Sequence, residues 1–381
     1  MGKKKFAVLG YGTVGKGVAE VWSELENAPL ALGPILVRRD FPGDRFGEHL
    51  VKDFSVIEAD PDVVLVAEVI GGKDAAYEYS KRALLAGKSV VSSNKELVAA
   101  CGPELCALAR EHGVSYLYEA SVGGGIPLLR PLTRCLAANR IEGLRGILNG
   151  TTNFILTSMK KEGRSFDSVL KQAQELGYAE ADPTADVEGL DAARKTAILA
   201  DLSFGKHYLP EDLFTMGIRK ITPNDFALAG SFGYEVKLLG QAKRTAEGVY
   251  ASVQPQLVPV GSALSAAEWV TNACVVNTSA AGEVCFLGPG AGARPTASAV
   301  CADILHAAAH PGDCMELSAE PGTLQPEARQ VSRWYVRGAH KTAAAVSAEV
   351  NGEYAILTEP TTRIAVEAAF PDAALLLRVA E

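Results

Sequence analysis

One run of glycines constrains this chain more than any other feature. Gly10-Tyr11-Gly12-Thr13-Val14-Gly15 directly follows the apolar run Phe6 to Leu9 and opens an amphipathic stretch. Glycine at 10 permits a tight turn, glycine at 12 lets main chain approach a pyrophosphate, and glycine at 15 allows a helix to pack closely on the strand. Thr13 and Val14 fall in the first helical turn, where unpaired amides favour phosphate. The alternative is a plain glycine-rich turn. Context argues against it, because PILVR, VVLVAEVI, SVVSSN and VSYLYEA follow as short β-branched runs separated by helical stretches, the texture of a parallel, helix-covered sheet. Residues 1–125 therefore read as a Rossmann-type, doubly wound parallel sheet domain. A later helix in SAVCADILHAAAH, after the turn GPGAG, completes it from about 288–318.

Two segments belong at the carboxyl edge of that sheet. Arg38-Arg39 precedes Asp40 at the end of the second strand, where an NAD site would carry an acid for the ribose. Arginine there suits a 2′-phosphate, so NADP(H) is favoured over NAD(H), with Asp40 on the ribose as the alternative. Ser92-Ser93-Asn94-Lys95 ends a further strand. Its hydroxyls reach toward a cofactor and Lys95 toward a substrate oxygen, unless the segment is only a helix start capped by Asn94.

Residues 126–287 change texture. Helical stretches such as TTNFILTSMKKEG, FDSVLKQAQELGY and LDAARKTAILADLSF are joined by strand-like IEGLRGILNG, YEVKLLGQAKRT, GVYASVQPQLVP and GEVCFLG, which makes an α+β domain with an open sheet. Five carboxylates crowd Glu180 to Asp191 within Gly177-Tyr178-Ala179-Glu180-Ala181-Asp182-Pro183-Thr184-Ala185-Asp186-Val187-Glu188-Gly189-Leu190-Asp191, and Lys195 follows one turn later. Such density needs cations, from a substrate ammonium or from Lys195; the plain reading is a surface Asp191–Lys195 pair at a helix start.

Composition narrows the classes. The 45 acidic against 37 basic residues give a net charge of −8, unsuited to nucleic acid or anionic membrane. No apolar run approaches the length of a membrane span. Seven cysteines include no CxxC pair, as expected of reduced thiols in a cytoplasmic protein. His306 and His310 lie four apart, but the glutamate of HExxH is missing.

The segment from Ala173 through Gly177, Asp182-Pro183, Asp186, Gly189, Asp191 and Lys195 resembles the signature of homoserine dehydrogenases. The glycine loop, SSNK, EASVGGGIP, ILNGTTN and GPGAG extend the resemblance over roughly the first 315 residues. It implies interconversion of homoserine and aspartate semialdehyde, in a homodimer or higher homo-oligomer. Lys195 would be the general acid/base and Lys95 its assistant. Glu180, Asp186 and Asp191, with the backbone near Gly177, would hold the substrate. The cofactor would lie on Gly10 to Gly15, Arg38, Ser92, Ser93 and Lys95, with Gly290 and Gly292 at its nicotinamide end. Glu119-Ala120-Ser121-Val122-Gly123-Gly124-Gly125-Ile126 resembles the family's sodium loop, with Glu119, Val122, Gly124 and Ile126 as ligands; three glycines serve a tight turn equally well.

The tail at 325–381 departs from the pattern. From Ser332 it reads as strand, helix, strand, strand, a short and degenerate ACT-like segment without the Asp-x-Pro-Gly turn that usually follows the first strand, and so as a tail that packs or dimerises rather than one that binds threonine. Two rivals remain: an aspartate-semialdehyde dehydrogenase, which needs a nucleophilic cysteine, and a sensor that kept the cofactor loop but lost catalysis.

Overall fold

Apolar runs that are buried on both faces make parallel strands, and the first third of the chain supplies such runs. A computed structural model describes residues 3–338 and 346–380. The chain divides into two units, one of Met1–Ala138, Asp201–His207 and Pro289–Pro321, the other of Asn139–Ala200, Tyr208–Gly288 and Gly322–Glu381.

In the first unit the elements run β1 (Lys5–Leu9), α1 (Thr13–Ser23), β2 (Ala31–Leu36), β3 (Leu50–Val51), α2 (Phe54–Ala59), β4 (Val63–Glu68), α3 (Asp74–Leu85), β5 (Ser89–Ser92), α4 (Lys95–Glu111) and β6 (Tyr116–Leu117). The strands are parallel in the order β3-β2-β1-β4-β5-β6. This is the doubly wound order, and its switch point lies between β1 and β4, where such sheets open a crevice at their carboxyl ends. Phe6 to Leu9 are fully buried, so β1 reads as a continuous apolar run.

The second unit contains β7 (Ile141–Ile147), α5 (Gly150–Glu162), α6 (Phe166–Glu175), α7 (Thr184–Val187), the start of α8 (Leu190–Phe204), β8 (Phe214–Thr215), α9 (Pro223–Ser231), β9 (Tyr234–Thr245), β10 (Gly248–Pro259), β11 (Thr271–Thr278) and β12 (Gly282–Pro289). β9 and β10 form an antiparallel hairpin in register from Thr245↔Gly248 to Tyr234↔Pro259. Gly240 on β9 gives α8 its close seat on the sheet, since a methyl there would run into Thr196 Oγ1. The chain then returns to the first unit as α10 (Ala293–Ala309), which packs on α1 where a methyl on Gly17 would lie 2.6 Å from the Ala293 carbonyl oxygen.

The tail supplies β13 (Val331–Ser332), β14 (Trp334–Arg337), β15 (Val346–Val350), β16 (Glu353–Leu357), β17 (Thr361–Thr362), α11 (Arg363–Ala369) and β18 (Leu375–Val379). It does not stand apart from the second unit. β18 runs parallel to β10, pairing Gln256 with Arg378 and Leu257 with Val379, so the sheet continues as β12-β11-β7-β9-β10-β18-β14-β16-β15. The helix expected after the first tail strand falls partly on residues 339–345, outside the described residues, and partly on strand β15. The tail's described helix, α11, comes after β17.

The border between the units also differs from the expected residue 125. The Glu119 carboxylate accepts from the amides of Leu128, Leu129 and Arg130 at 2.6–2.8 Å, which ties the following segment to the first unit as far as Ala138. Within that segment Pro131–Cys135 forms a π-helical turn.

Candidate active site

The cofactor half of the chemistry starts at the glycine loop. Gly10 has φ +98°, and a methyl on Gly15 would run into the Gly10 carbonyl oxygen. Gly12 is different: a methyl there meets nothing within 4 Å, so its lack of a side chain leaves open space above the α1 N-terminus. No side chain caps that helix end, and Gly12 and Thr13 are exposed there while Val14 is half-buried. A cleft of about 620 Å³ opens beside the loop, lined among others by Gly10, Gly12, Arg38, Arg39, Lys52 and Gly71. An extended dinucleotide fits this cradle: open amides at the turn, cations at the β2 end. Asp40, the alternative ribose ligand, pairs with Lys52 at 2.6 Å. Both are largely exposed, so the pair is worth at most about 1 kcal/mol.

Asn94 does what a helix cap does. Its Oδ1 accepts from the amides of Glu96 and Leu97 at 3.0 and 3.1 Å, and its Nδ2 donates to the carbonyls of Ile70 and Gly72. Lys95 is then the first residue of α4 and half-buried. Ser93 is half-buried beside it, its amide on the Glu68 carbonyl. Ser92 requires a correction. Its side chain is fully buried and its hydroxyl donates to Glu68 Oε2 at 2.6 Å, so it shapes the turn and does not offer that hydroxyl to a ligand.

The motifs EASVGGG and GPGAG, far apart in sequence, meet in the first unit. Gly125 N donates to the Pro289 carbonyl at 3.1 Å, and a methyl on Gly124 would run into the Gly290 carbonyl. The glycines therefore serve close approach as well as turning. Gly290 is buried in that contact, and Gly292, at φ +121°, precedes α10. Here too a reading is corrected. Glu119 was expected to offer a cation its carboxylate, yet both oxygens are occupied by the three amides at 128–130. Val122, Gly124 and Ile126 are buried in the same loop. Glu119 N in turn donates to Asp303, which pairs with Arg130; burial pushes the Asp303 carboxyl up to about 7.

The acidic loop belongs wholly to the second unit. Lys195 Nζ donates to Asp191 Oδ2 and to the Leu148 carbonyl, each at 2.7 Å. With 11% and 4% of the two side chains exposed, this is not the surface pair of the plain reading. Asn149, which caps α5, donates its Nδ2 hydrogens to Asp186 Oδ1 at 2.7 Å and Asp191 Oδ2 at 2.8 Å. It binds the two acids into one cluster with Lys195. The crowding of carboxylates resolves group by group. Asp182 accepts from the Thr184 hydroxyl and from Thr184 N, which together hold its carboxyl below the usual range, and Glu188 pairs with Arg219. Glu180 is exposed, and Gly177, at φ +75°, closes α6. Neither joins the Lys195 cluster through a described hydrogen bond; the adjacent Tyr178 carbonyl accepts from Thr151 Oγ1 at 2.7 Å. Asn149 is the residue that sequence reasoning missed, although it stands within ILNGTTN, whose Asn-Gly-Thr is an ordinary helix-cap signal.

Comparison with known proteins now decides the matter. The homoserine dehydrogenase family profile matches residues 127–305, and the profile for the homoserine dehydrogenase NAD binding domain matches 10–119. Homoserine dehydrogenase of Bacillus subtilis is 44% identical over 311 residues, covering 79% of this chain and 72% of the relative. The chain belongs to the homoserine dehydrogenase family.

The homoserine dehydrogenase of Mycobacterium tuberculosis is 45% identical over 316 residues, 79% of this chain and 71% of the relative. Among solved structures, a homoserine dehydrogenase from Thiobacillus denitrificans superposes with a TM-score of 0.90 at 34% identity, covering 99% of this chain and 98% of that one. A hyperthermophilic archaeal homoserine dehydrogenase in complex with NADPH does so with a TM-score of 0.69 at 32% identity, covering 80% and 98%. The chain is thus a homoserine dehydrogenase, an NAD(P)-dependent oxidoreductase acting on a CH–OH group, with a nicotinamide cofactor. Both rivals fall away. Burial pushes the thiols of Cys106, Cys274 and Cys301 up to about 12, the opposite of an activated nucleophile. Among the described residues no helix is long and apolar enough to cross a membrane, and no group of His, Cys, Asp and Glu could hold a metal ion.

Proposed function

We propose that Lys195 moves the proton of the reaction. The observation that carries this reading is its double anchor, to Asp191 Oδ2 and the Leu148 carbonyl, each at 2.7 Å and nearly sealed from solvent. A lysine held by two acceptors presents its ammonium in a fixed direction, as a general acid must. In the direction of homoserine oxidation the neutral amine takes the hydroxyl proton as the C–O bond becomes a carbonyl; in the reverse direction the ammonium returns it. When bound, the nicotinamide ring supplies the hydride acceptor or donor. Asp186 and Asp191, ordered by Asn149, hold the substrate's ammonium group, aided by Glu180 and the main chain at Gly177. Lys95, at the head of α4, assists with the substrate oxygen.

The cofactor in this reading is NADP(H) ahead of NAD(H), held on Gly10 to Gly15 and on Arg38, with Ser93 and the glycines at 290 and 292 toward the nicotinamide end. The support is that Arg38, Arg39 and Lys52 line the cleft while Asp40 is already paired. The reading includes service in the aspartate-family route to threonine and methionine and a homodimeric assembly. A sodium ion, if bound in the 119–126 loop, would rest on main-chain carbonyls, because the Glu119 carboxylate is taken. The test is the homoserine-dependent change in reduced-nicotinamide absorbance with NADP or NAD. Turnover with homoserine and not with serine or threonine, faster with NADP, supports the reading; cofactor binding without turnover overturns it.

A further inference from the structure

Glu68, the last residue of β4, is fully buried, and among the described residues the groups that act on it are the neutral donors of Ser92, Ile70 and Asn94 and no cation. A carboxyl taken out of water without a charged partner disfavours folding, and an apolar residue of similar size would be more stable there. Such a group demands an explanation, and its hydrogen bonds give one. Oε1 accepts from Ile70 N at 2.7 Å and Oε2 accepts from the Ser92 hydroxyl at 2.6 Å. Ser92 Oγ accepts in turn from Asn94 N at 3.0 Å. The main chain of Glu68 adds another tie, its carbonyl accepting from Ser93 N at 3.1 Å.

These bonds fasten two segments at once. One is the Val69 to Gly71 turn, which walls the cofactor cleft and against which Gly10 is packed, a methyl there lying 3.1 Å from the Val69 carbonyl oxygen. The other is the 92–94 turn that ends in Lys95. Asn94, capping α4 with one end of its amide and bonding Ile70 and Gly72 with the other, closes the ring. A side chain that only filled the core would not bond both loops at the carboxyl edge of the sheet. A carboxylate is the one group that accepts from a backbone amide and a hydroxyl at the same time with two oxygens in a plane.

We propose that Glu68 is a positioning residue of the dehydrogenase reaction, its carboxylate acting through Ser92 and the Asn94 main chain to fix the turn that carries Lys95 and through Ile70 to fix the cleft wall. The proposal rests on the reading that Lys95 assists turnover. Glu68 itself is fully buried and offers no surface to a ligand.

The experiment compares Glu68→Ala, Glu68→Gln, Ser92→Ala and Lys95→Ala, with kcat, KM for NADP, KM for homoserine and the melting temperature measured for each. Glu68→Ala should lower kcat about tenfold or more and raise KM for NADP severalfold. Glu68→Gln, which keeps an acceptor for Ile70, should recover most of both. Ser92→Ala, which spares the carboxyl, should lower kcat with less effect on KM for NADP. In the Glu68→Ala/Lys95→Ala double variant the loss in kcat should not exceed that of Lys95→Ala alone, because both changes act on one group. If Glu68→Ala fails to fold, Ser92→Ala decides. An impaired Lys95→Ala beside a Ser92→Ala enzyme with parental kcat and KM overturns the positioning role alone, as does a double variant whose losses multiply. A Lys95→Ala enzyme as active as the parent overturns the reading of Lys95 and the proposal with it.

Discussion

Asn149 Nδ2 stands within hydrogen-bond distance of both Asp186 and Asp191, at 2.7 and 2.8 Å, so a single amide holds two acids of the second unit side by side. Two carboxylates so close repel each other unless donors lie between them, and Asn149 together with Lys195 supplies those donors. Asn149→Ala should therefore act twice. Loss of the α5 cap should cost about 1 kcal/mol of stability, and release of the acids should raise KM for homoserine several-fold. Asn149→Asp, adding a third carboxylate, should be worse in both respects. Thermal melting and steady-state kinetics on the two variants check this; an Asn149→Asp enzyme with parental KM would refute it.

Lys195→Ala should lower kcat by about 10²–10⁴-fold, the usual reach of general acid–base catalysis, while cofactor affinity stays unchanged. The same change strands Asp191 without its ammonium partner in a buried place. Some loss of stability, on the order of 3 kcal/mol, should accompany it. Lys195→Met tests the charge with less loss of packing. Equal turnover in the parent and both variants would remove Lys195 from the reaction.

Gly12 and Gly15 should part company when each is replaced by alanine. Gly15→Ala drives a methyl into the Gly10 carbonyl and should destabilise the fold by about 1–3 kcal/mol. Gly12→Ala meets no protein atom within 4 Å and should melt as the parent does, yet bind cofactor at least tenfold more weakly because the methyl occupies cofactor space. Calorimetric melting and fluorescence titration with NADPH separate the two effects.

Arg38→Ala should raise KM for NADP roughly tenfold or more, the loss of one charge-assisted contact of about 1.5–3 kcal/mol, and leave KM for NAD nearly unchanged. Lys52→Ala frees Asp40 and should move the preference the same way by a smaller factor. A ratio of cofactor KM values that does not move in either variant would exclude this end of the cleft as the selector.

Burial pushes the Glu68 carboxyl from its ordinary 4.5 up to about 7. The folded state then holds that proton more tightly than the unfolded chain, so the stability linked to it is full below about pH 4.5 and lost as pH rises through 7. At 1.36 kcal/mol per unit the loss is on the order of 3 kcal/mol. Glu68→Gln should lose little stability across this range. Urea titrations at pH 5 and pH 8 should show the parent weaker at the higher pH and the variant nearly level; equal slopes with pH would contradict the assignment.

What could be read without coordinates was what local rules determine. The glycine loop announces itself because three glycines within six residues, after an apolar strand, have few other uses. Asp191 and Lys195 share a helix face by spacing alone, but spacing does not say whether that face is buried. Glu68 and Asn149 escaped notice since their partners lie on other elements. β10 shows the same limit. Tyr250, Ser252, Gln254 and Gln256 alternate with apolar residues as in a strand with one wet face, yet all four are buried, with Glu327 bonded to Tyr250 and Gln254 and Arg378 paired with Glu327. The tail that covers them was the segment whose elements were read in the wrong order.

That covering has a consequence for synthesis. β18 is the neighbour of β10 at Gln256 and Leu257, yet more than a hundred residues separate the two strands in the chain. At about 5–20 residues per second, a nascent chain holds part of the β10 edge open for roughly ten seconds before residues 375–379 exist to close it. In the first part of that interval the polar row of β10 lacks both Glu327 and Arg378, and it waits for Arg378 to the end. The sheet that seats Lys195 is thus finished late, and the growing polypeptide is most exposed to strand exchange and chaperone capture between the making of Pro259 and that of Val379.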